Sequence, residues 1–196
     1  LEVDGCVVNE RLSPRRQGED ARLDDLLTKG ISGPSGDPLN IFGVLGHHPD
    51  MLKRWLVFAT HVLSKNTLDP RERELLILRT GWNCHSPYEW GQHVLIAEEC
   101  GVTADEIEAV KRGPDDPSWS RTDRILLRAA DELHEHQSLS EHTWNSLSGR
   151  LSTEQLLDVI ATVGNYHLVA MFLNSTGVPL DEGVPDDPDV RRRRSD

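Results

Sequence analysis

From Leu39 onward, apolar residues recur at intervals of three and four, with polar residues between them. That is the spacing of helices that bury one face. Leu52, Trp55, Leu56, Ala59, Val62 and Leu63 predict a helix from Pro49 to about Ser64, with Pro49 in its first turn. A shorter helix is expected from Leu39 to Leu45. Asp69-Pro70-Arg71-Glu72 reads as a helix start, the aspartate capping and the proline taking the first helical position. The helix it opens carries Leu75, Leu76, Ile77 and Leu78 in succession. It is apolar nearly all round and should be central.

Ser86-Pro87-Tyr88-Glu89 opens the next helix, which ends near Cys100-Gly101. Thr103 with Glu106, and Ser152 with Gln155, have the spacing of capping boxes. Ile125, Leu126, Ala129, Ala130 and Leu133 mark a helix from about Thr122 to His136, and Ser140 caps a short one to about Leu147. The last helix runs to about Ser175, with Gly177 as its stop. Alternation with period two is absent over any useful length, so no strand is expected. The reading is all-α, a compact bundle of six to eight helices in residues 39–178.

The flanks differ. Residues 1–38 are rich in Arg, Asp, Gly and Pro and hold one helical candidate, Ala21 to Lys29. They are expected to form an arm on the surface or on a neighbouring subunit. Residues 179–196 turn to Pro, Asp and Arg, ending in Arg191–Arg194, and are expected to be a loose tail.

A chain of 196 residues with 37% hydrophobic and 28% charged residues has enough material for one domain with a core. Its net charge of -12 argues against nucleic acid, because phosphate binding needs a basic surface. No continuous apolar run approaches the ~18–20 residues of a membrane span. The first residues have neither a basic nor an apolar leader region, so no signal peptide is visible. Three cysteines (Cys6, Cys84, Cys100) without disulfide or metal spacing suggest a reducing, cytoplasmic setting.

The candidate chemistry lies between Glu74 and His93. Glu89 and His93 are four residues apart on one helix face. A hairpin could bring Glu74, on the preceding helix, opposite that face. Two carboxylates and an imidazole converging between packed helices can move protons without a cofactor. Ser86 and Glu89 also fit a capping box, and a carboxylate at a helix start is held ionised by the local dipole. Glu89 is therefore expected as an anion that orients His93. Glu74, at the rim of a buried face, is expected to have a raised pKa and to relay the proton. Arg79 reads either as an internal partner of an acid or as a clamp for a substrate carboxylate. Trp82, Tyr88 and Trp90 bracket the turn as packing residues and pocket walls, and Tyr88 could donate to an oxyanion.

Glu74, with His93 nineteen positions later and a helix start between, resembles the carboxymuconolactone decarboxylase/alkylhydroperoxidase-D-like family, over roughly Leu39 to Val178. Redox-active members carry Cys-x-x-Cys-x-x-x-His, whose cysteine positions here match Ser86 and Glu89. Cys84 lies two positions too early and has no resolving partner. The resemblance thus implies the decarboxylase side: a cofactor-free lyase acting on a small oxygenated, carboxylated compound. His93 would be its general acid/base, with Glu89 and Glu74 beside it and Arg79, Trp82, Tyr88, Ser86 and Trp90 as substrate-binding residues. It also implies rings of three or six subunits. A redox enzyme using Cys84 alone and a non-catalytic small-molecule-binding protein are the alternatives. His47-His48, His134-Glu135-His136 and the mid-helix His167 do not have the spacing of a zinc site, so no metal is expected.

Overall fold

The computed structural model describes residues 10–28 and 37–192. Expectations that fall on Cys6, Lys29, Arg193 and Arg194 lie outside the described residues. Among the described residues the chain forms ten α-helices and no β-strand. They are α1 (Ala21–Leu27), α2 (Asn40–Leu45), α3 (Pro49–Thr60), α4 (Pro70–Asn83), α5 (Pro87–Glu99), α6 (Ala104–Arg112), α7 (Arg121–His136), α8 (Glu141–Ser148), α9 (Thr153–Thr176) and α10 (Pro188–Arg192). A π-helical turn, His61–Lys65, continues α3. Eight of the ten helices, α2 to α9, lie in residues 39–178, as expected; α1 and α10 are pieces of seven and five residues in the flanks.

The helices start where capping chemistry puts them. The Asp69 carboxylate accepts from Arg71 N–H, with Pro70 at the first position of α4. Thr103–Glu106 and Ser152–Gln155 are complete capping boxes. Gly177 ends α9 in the left-handed region at φ 69°, as a residue without Cβ can.

Helix α4 is the centre, packed against α5, α6, α7 and α9. Its residues Leu75, Leu76, Ile77 and Leu78 are all fully buried. Each contributes about 1.5–3 kcal/mol of burial, which fixes α4 as the pillar around which the others pack. One side of the core joins α1, α2 and α3 to α9 through Leu23, Leu27, Phe42, Leu52 and Leu173. Another joins α4, α5 and α6 through Leu78, Trp82, Trp90 and Val110. A third joins α4, α7, α8 and α9 through Leu76, Leu126, Leu147 and Val159.

The described parts of both flanks are bound more tightly than their composition predicts. Leu23, Leu26 and Leu27 of α1 are core residues, so that segment is part of the domain. The expected loose tail also packs. Asp181 accepts from Tyr88, Gln92 and the Asn40 amide, Asp187 pairs with Lys111, and Val190 is fully buried against the Trp82–Trp90 side of the core. A Cβ on Gly91 would lie 2.4 Å from the Pro185 carbonyl oxygen, so α5 accommodates this strap only by carrying glycine there. One buried valine and a few ion pairs are enough to seat a polar stretch whose composition alone suggests a free end.

By length and hydropathy α9 could cross a membrane, with a mean hydropathy of 1.6 over its most apolar window. It is instead a core helix with Asp158, Thr162 and Asn165 buried along it. Leu157, Ile160, Leu168 and Met171 on α9, with Val57 and Phe58 on α3, remain exposed.

Candidate active site

The turn between α4 and α5 is tight. Cys84 closes α4, His85 takes a left-handed conformation (φ 51°), and Ser86 N–H donates to the Gly81 carbonyl. This folds α5 back along α4 and places His93 opposite Glu74. His93 Nδ1 lies 2.7 Å from Glu74 Oε2, and Arg73 Nε donates to Glu74 Oε1 at 2.9 Å. Glu74 has no exposed surface, and His93 is 7% exposed. Burial pushes the Glu74 carboxyl up, but the His93 and Arg73 charges and hydrogen bonds outweigh it and hold the pKa below the ordinary value. The expected raised pKa is thus replaced by a stable anion, and the residue that orients His93 is Glu74 rather than Glu89.

Glu89 is the opposite case. It is 2% exposed, and neither carboxyl oxygen has a hydrogen-bond partner among the described residues. The Ser86 hydroxyl does not cap α5, so no capping box forms. Gly81 gives the carboxyl room: a Cβ there would sit 3.2 Å from Glu89 Oε1. Burial pushes the Glu89 pKa well above the ordinary carboxylate range, because neither a cation nor a donor offsets the cost of a buried charge. The folded protein favours the neutral acid, a hydrogen-bond donor, where the sequence suggests an anion.

Glu89 and His93 line a cavity of about 590 Å³ between α2, α3, α5 and α9. Its wall is mostly apolar, with Ile41, Phe42, Leu56, Leu63 and Val169, and among the described residues no lysine or arginine contributes to it. The polar residues on it are Thr60, Ser64, Tyr88, Glu89, Gln92, His93, Glu99, Asn165 and Tyr166. Tyr166 meets the His93 ring edge-on, with centroids 4.8 Å apart and planes at 89°. Burial, then the Glu74 and Glu89 charges, push its phenol well above its usual pKa. Asn165 Oδ1 accepts from Trp55 Nε1 at 3.1 Å. Tyr166 and Asn165 were not singled out from the sequence. The available signal was the polar break Asn165-Tyr166-His167 within an apolar helix.

The remaining sequence-predicted residues lie elsewhere. Arg79 is a structural clamp: Nε and Nη2 donate to Asp131 at 2.6 and 3.0 Å, and Nη1 donates to the Val110 carbonyl at 2.8 Å. It ties α4 to α6 and α7 and does not reach the cavity. Trp82 and Trp90 pack on each other at 5.7 Å under Lys111, on the side facing α10. Ser86 is buried in the turn. Tyr88 does line the cavity, but its hydroxyl is committed: it donates to Asp181 and accepts from Ile41 N–H. These departures share one cause. Only about a third of a helix faces any one neighbour, and spacing along the chain does not say which neighbour that is.

Cys84 is partly buried and is not part of the cavity wall. Burial, then Glu89 once it ionises at high pH, push its thiol up to about 12. Its sulfur faces His134 and His167, side chains that the sequence leaves fifty and thirty-three positions apart.

Known proteins bear on this arrangement in two ways. Residues 49–132 match the model of the carboxymuconolactone decarboxylase family. No curated protein matches the chain at a significant level. Among solved structures, an alkylhydroperoxidase AhpD core, an uncharacterized peroxidase-related protein from Ralstonia eutropha, superposes with a TM-score of 0.74 at 17% identity, covering 87% of this chain and 93% of that one. A peroxidase-related protein from Silicibacter gives 0.69 at 12% identity, covering 76% and 80%. The debrominase Bmp8, solved with 2,3,4-tribromopyrrole, gives 0.70 at 12% identity, covering 94% and 97%. At these identities the likeness is one of fold. The match over residues 49–132 includes Glu74, Glu89 and His93, and in that segment the chain is similar to the carboxymuconolactone decarboxylase family.

Proposed function

We propose that this protein is an enzyme of the decarboxylase type: a cofactor-independent carbon–carbon lyase that moves protons on a small oxygenated organic acid. The observation that carries the reading is the His93–Glu74 pair, 2.7 Å apart, with His93 on the wall of a largely apolar cavity. Glu74 accepts at Nδ1, which leaves Nε2 as the nitrogen that exchanges a proton with substrate.

The cavity suits loss of carbon dioxide. A cation beside the substrate carboxylate would stabilise the ground state, and the described lining contains no lysine or arginine. An apolar wall raises the energy of the localised carboxylate relative to the dispersed charge of the transition state. As the bond to the carboxylate breaks, its electron pair moves onto a neighbouring carbonyl and forms an enolate. Neutral Glu89 would donate a hydrogen bond to that oxygen, an interaction that strengthens as negative charge develops. His93, as imidazolium, would then deliver a proton to carbon. Glu74 positions the ring throughout. The exposed apolar residues of α3 and α9 suit burial between subunits, in rings of three or six, and the setting we propose is cytoplasmic.

The peroxidase-related structural neighbours favour a second reading, a redox enzyme using Cys84. Against it stand the thiol's pKa of about 12 and its absence from the cavity wall.

A panel of β-keto acids and lactone carboxylates, assayed for carbon dioxide release, tests the lyase reading. Turnover should be abolished by His93→Ala in a folded variant and survive Cys84→Ser. Turnover that survives His93→Ala overturns the reading. Ligand binding without turnover across the panel would favour a binding protein.

A further inference from the structure

Cys84, His134 and His167 come from three different helical positions and converge on one point. Cys84 caps the end of α4, His134 lies in the last turn of α7, and His167 sits midway along α9. One potential ligand atom from each, sulfur or ring nitrogen, lies within 4.8 Å of the other two. His134 Nδ1 is 2.9 Å from His167 Nε2 and 3.9 Å from Cys84 Sγ. All three side chains are only partly buried, so an ion has a route in. We infer that this cluster is a binding site for a divalent transition ion, best suited to zinc, separate from the cavity that holds His93.

The donor set supports zinc on chemical grounds. One thiolate and two imidazoles are borderline-soft ligands, which disfavours calcium and magnesium. Tetrahedral zinc places two ligating nitrogens about 3.3 Å apart, and a nitrogen and a sulfur about 3.6 Å apart. The observed 2.9 and 3.9 Å differ from these by a few tenths of an ångström. The third separation closes by little more than 1 Å at most. Such shifts need only side-chain rotation.

The surroundings prepare the ligands. Asn174 Nδ2 donates to the Cys84 carbonyl at 2.9 Å and fixes the backbone that carries the sulfur. Without an ion, one of the two facing nitrogens, His134 Nδ1 or His167 Nε2, donates its proton to the other. With one, both nitrogens turn their lone pairs to the metal, the shared proton moves to the far nitrogen of its own ring, and the Cys84 proton leaves to solvent. Three protein ligands leave the fourth position for water or a small anion, the pattern of an open zinc site.

The test is a cobalt(II) titration of the metal-stripped full-length chain, followed by visible absorption. The expected result is one equivalent bound, with a thiolate-to-cobalt charge-transfer band and the intense d–d bands of a tetrahedral centre, both displaced by zinc. Cys84→Ser should remove the charge-transfer band. His134→Ala and His167→Ala should weaken binding by at least about tenfold. Far-UV circular dichroism confirms that each variant is folded, and Cys6→Ala and Cys100→Ala should leave the spectrum unchanged. Cobalt bound without a thiolate band, a band that survives Cys84→Ser, or no stoichiometric binding at all would overturn the inference.

Discussion

Glu74 holds His93 from behind. Its Oε2 lies 2.7 Å from Nδ1 while Arg73 occupies Oε1. An anion fixed in this way favours the tautomer that carries its proton on Nδ1. Long-range nitrogen–proton spectra of the wild type should show that tautomer for His93, and Glu74→Gln should disturb it. Turnover in Glu74→Gln should fall about 10- to 100-fold, the scale typical of losing a positioning partner. An unchanged tautomer and unchanged turnover would remove Glu74 from the mechanism.

Glu89 makes stability fall with pH. Its pKa is raised in the folded state above the ordinary 4.5. Above that value the unfolded chain has released the proton while the folded chain retains it. The linkage slope is therefore negative, and each pH unit costs about 1.4 kcal/mol until the folded carboxyl ionises. Glu89→Gln has no such proton, so its stability advantage over wild type should widen from pH 5 to pH 8 in urea denaturation. A constant difference across that range would mean that Glu89 is ionised in the folded protein.

Arg79 is one of two arginines of α4 that pair with an aspartate of α7, Arg71 with Asp123 being the other. Arg79→Ala leaves Asp131 without its guanidinium, though Asn83 still donates to it at 2.7 Å. The expected loss is about 2–4 kcal/mol, read as a shift in denaturation midpoint. KM for an identified substrate should not change. A raised KM with unchanged stability would restore the carboxylate clamp suggested by sequence.

The strap after α9 is a structural element. Val190→Ala removes a fully buried side chain from the Trp82–Trp90 side of the core and should cost about 1.5–2.5 kcal/mol. Truncation before Asp181 should cost more, because Tyr88, Gln92 and Asn40 lose a common acceptor. If truncation leaves the denaturation midpoint unmoved, the strap is not anchored in solution.

Cys84 should be a slow nucleophile in metal-stripped protein. With a thiol pKa of about 12, almost no thiolate exists at pH 8. Alkylation by iodoacetamide, followed by mass spectrometry of the tryptic peptide, should run orders of magnitude slower than for a small free thiol. Rapid labelling together with loss of turnover would transfer the chemistry to sulfur.

The sequence determined the helices and their starts. Caps, prolines at first positions and three–four spacing are local, so Asp69-Pro70 and the two capping boxes could be read directly, as could the all-apolar run that makes α4 central. It also singled out Glu74, Glu89 and His93 as candidates through a spacing that resembles a family's, and the fold puts Glu74 against His93 and both His93 and Glu89 on the cavity wall. What it left open was which way each side chain faces and what it meets there. Whether Glu89 is an anion or a neutral acid depends on the absence of any donor near its two oxygens, a fact of packing. Whether Arg79 reaches a substrate or Asp131 depends on how α7 lies on α4. Asn165, Tyr166 and the Cys84–His134–His167 cluster depend on α9 crossing the other helices. Those relations join residues tens of positions apart, and local spacing carries no information about them; only the packed core, where α4 sets the position of every neighbour, decides them.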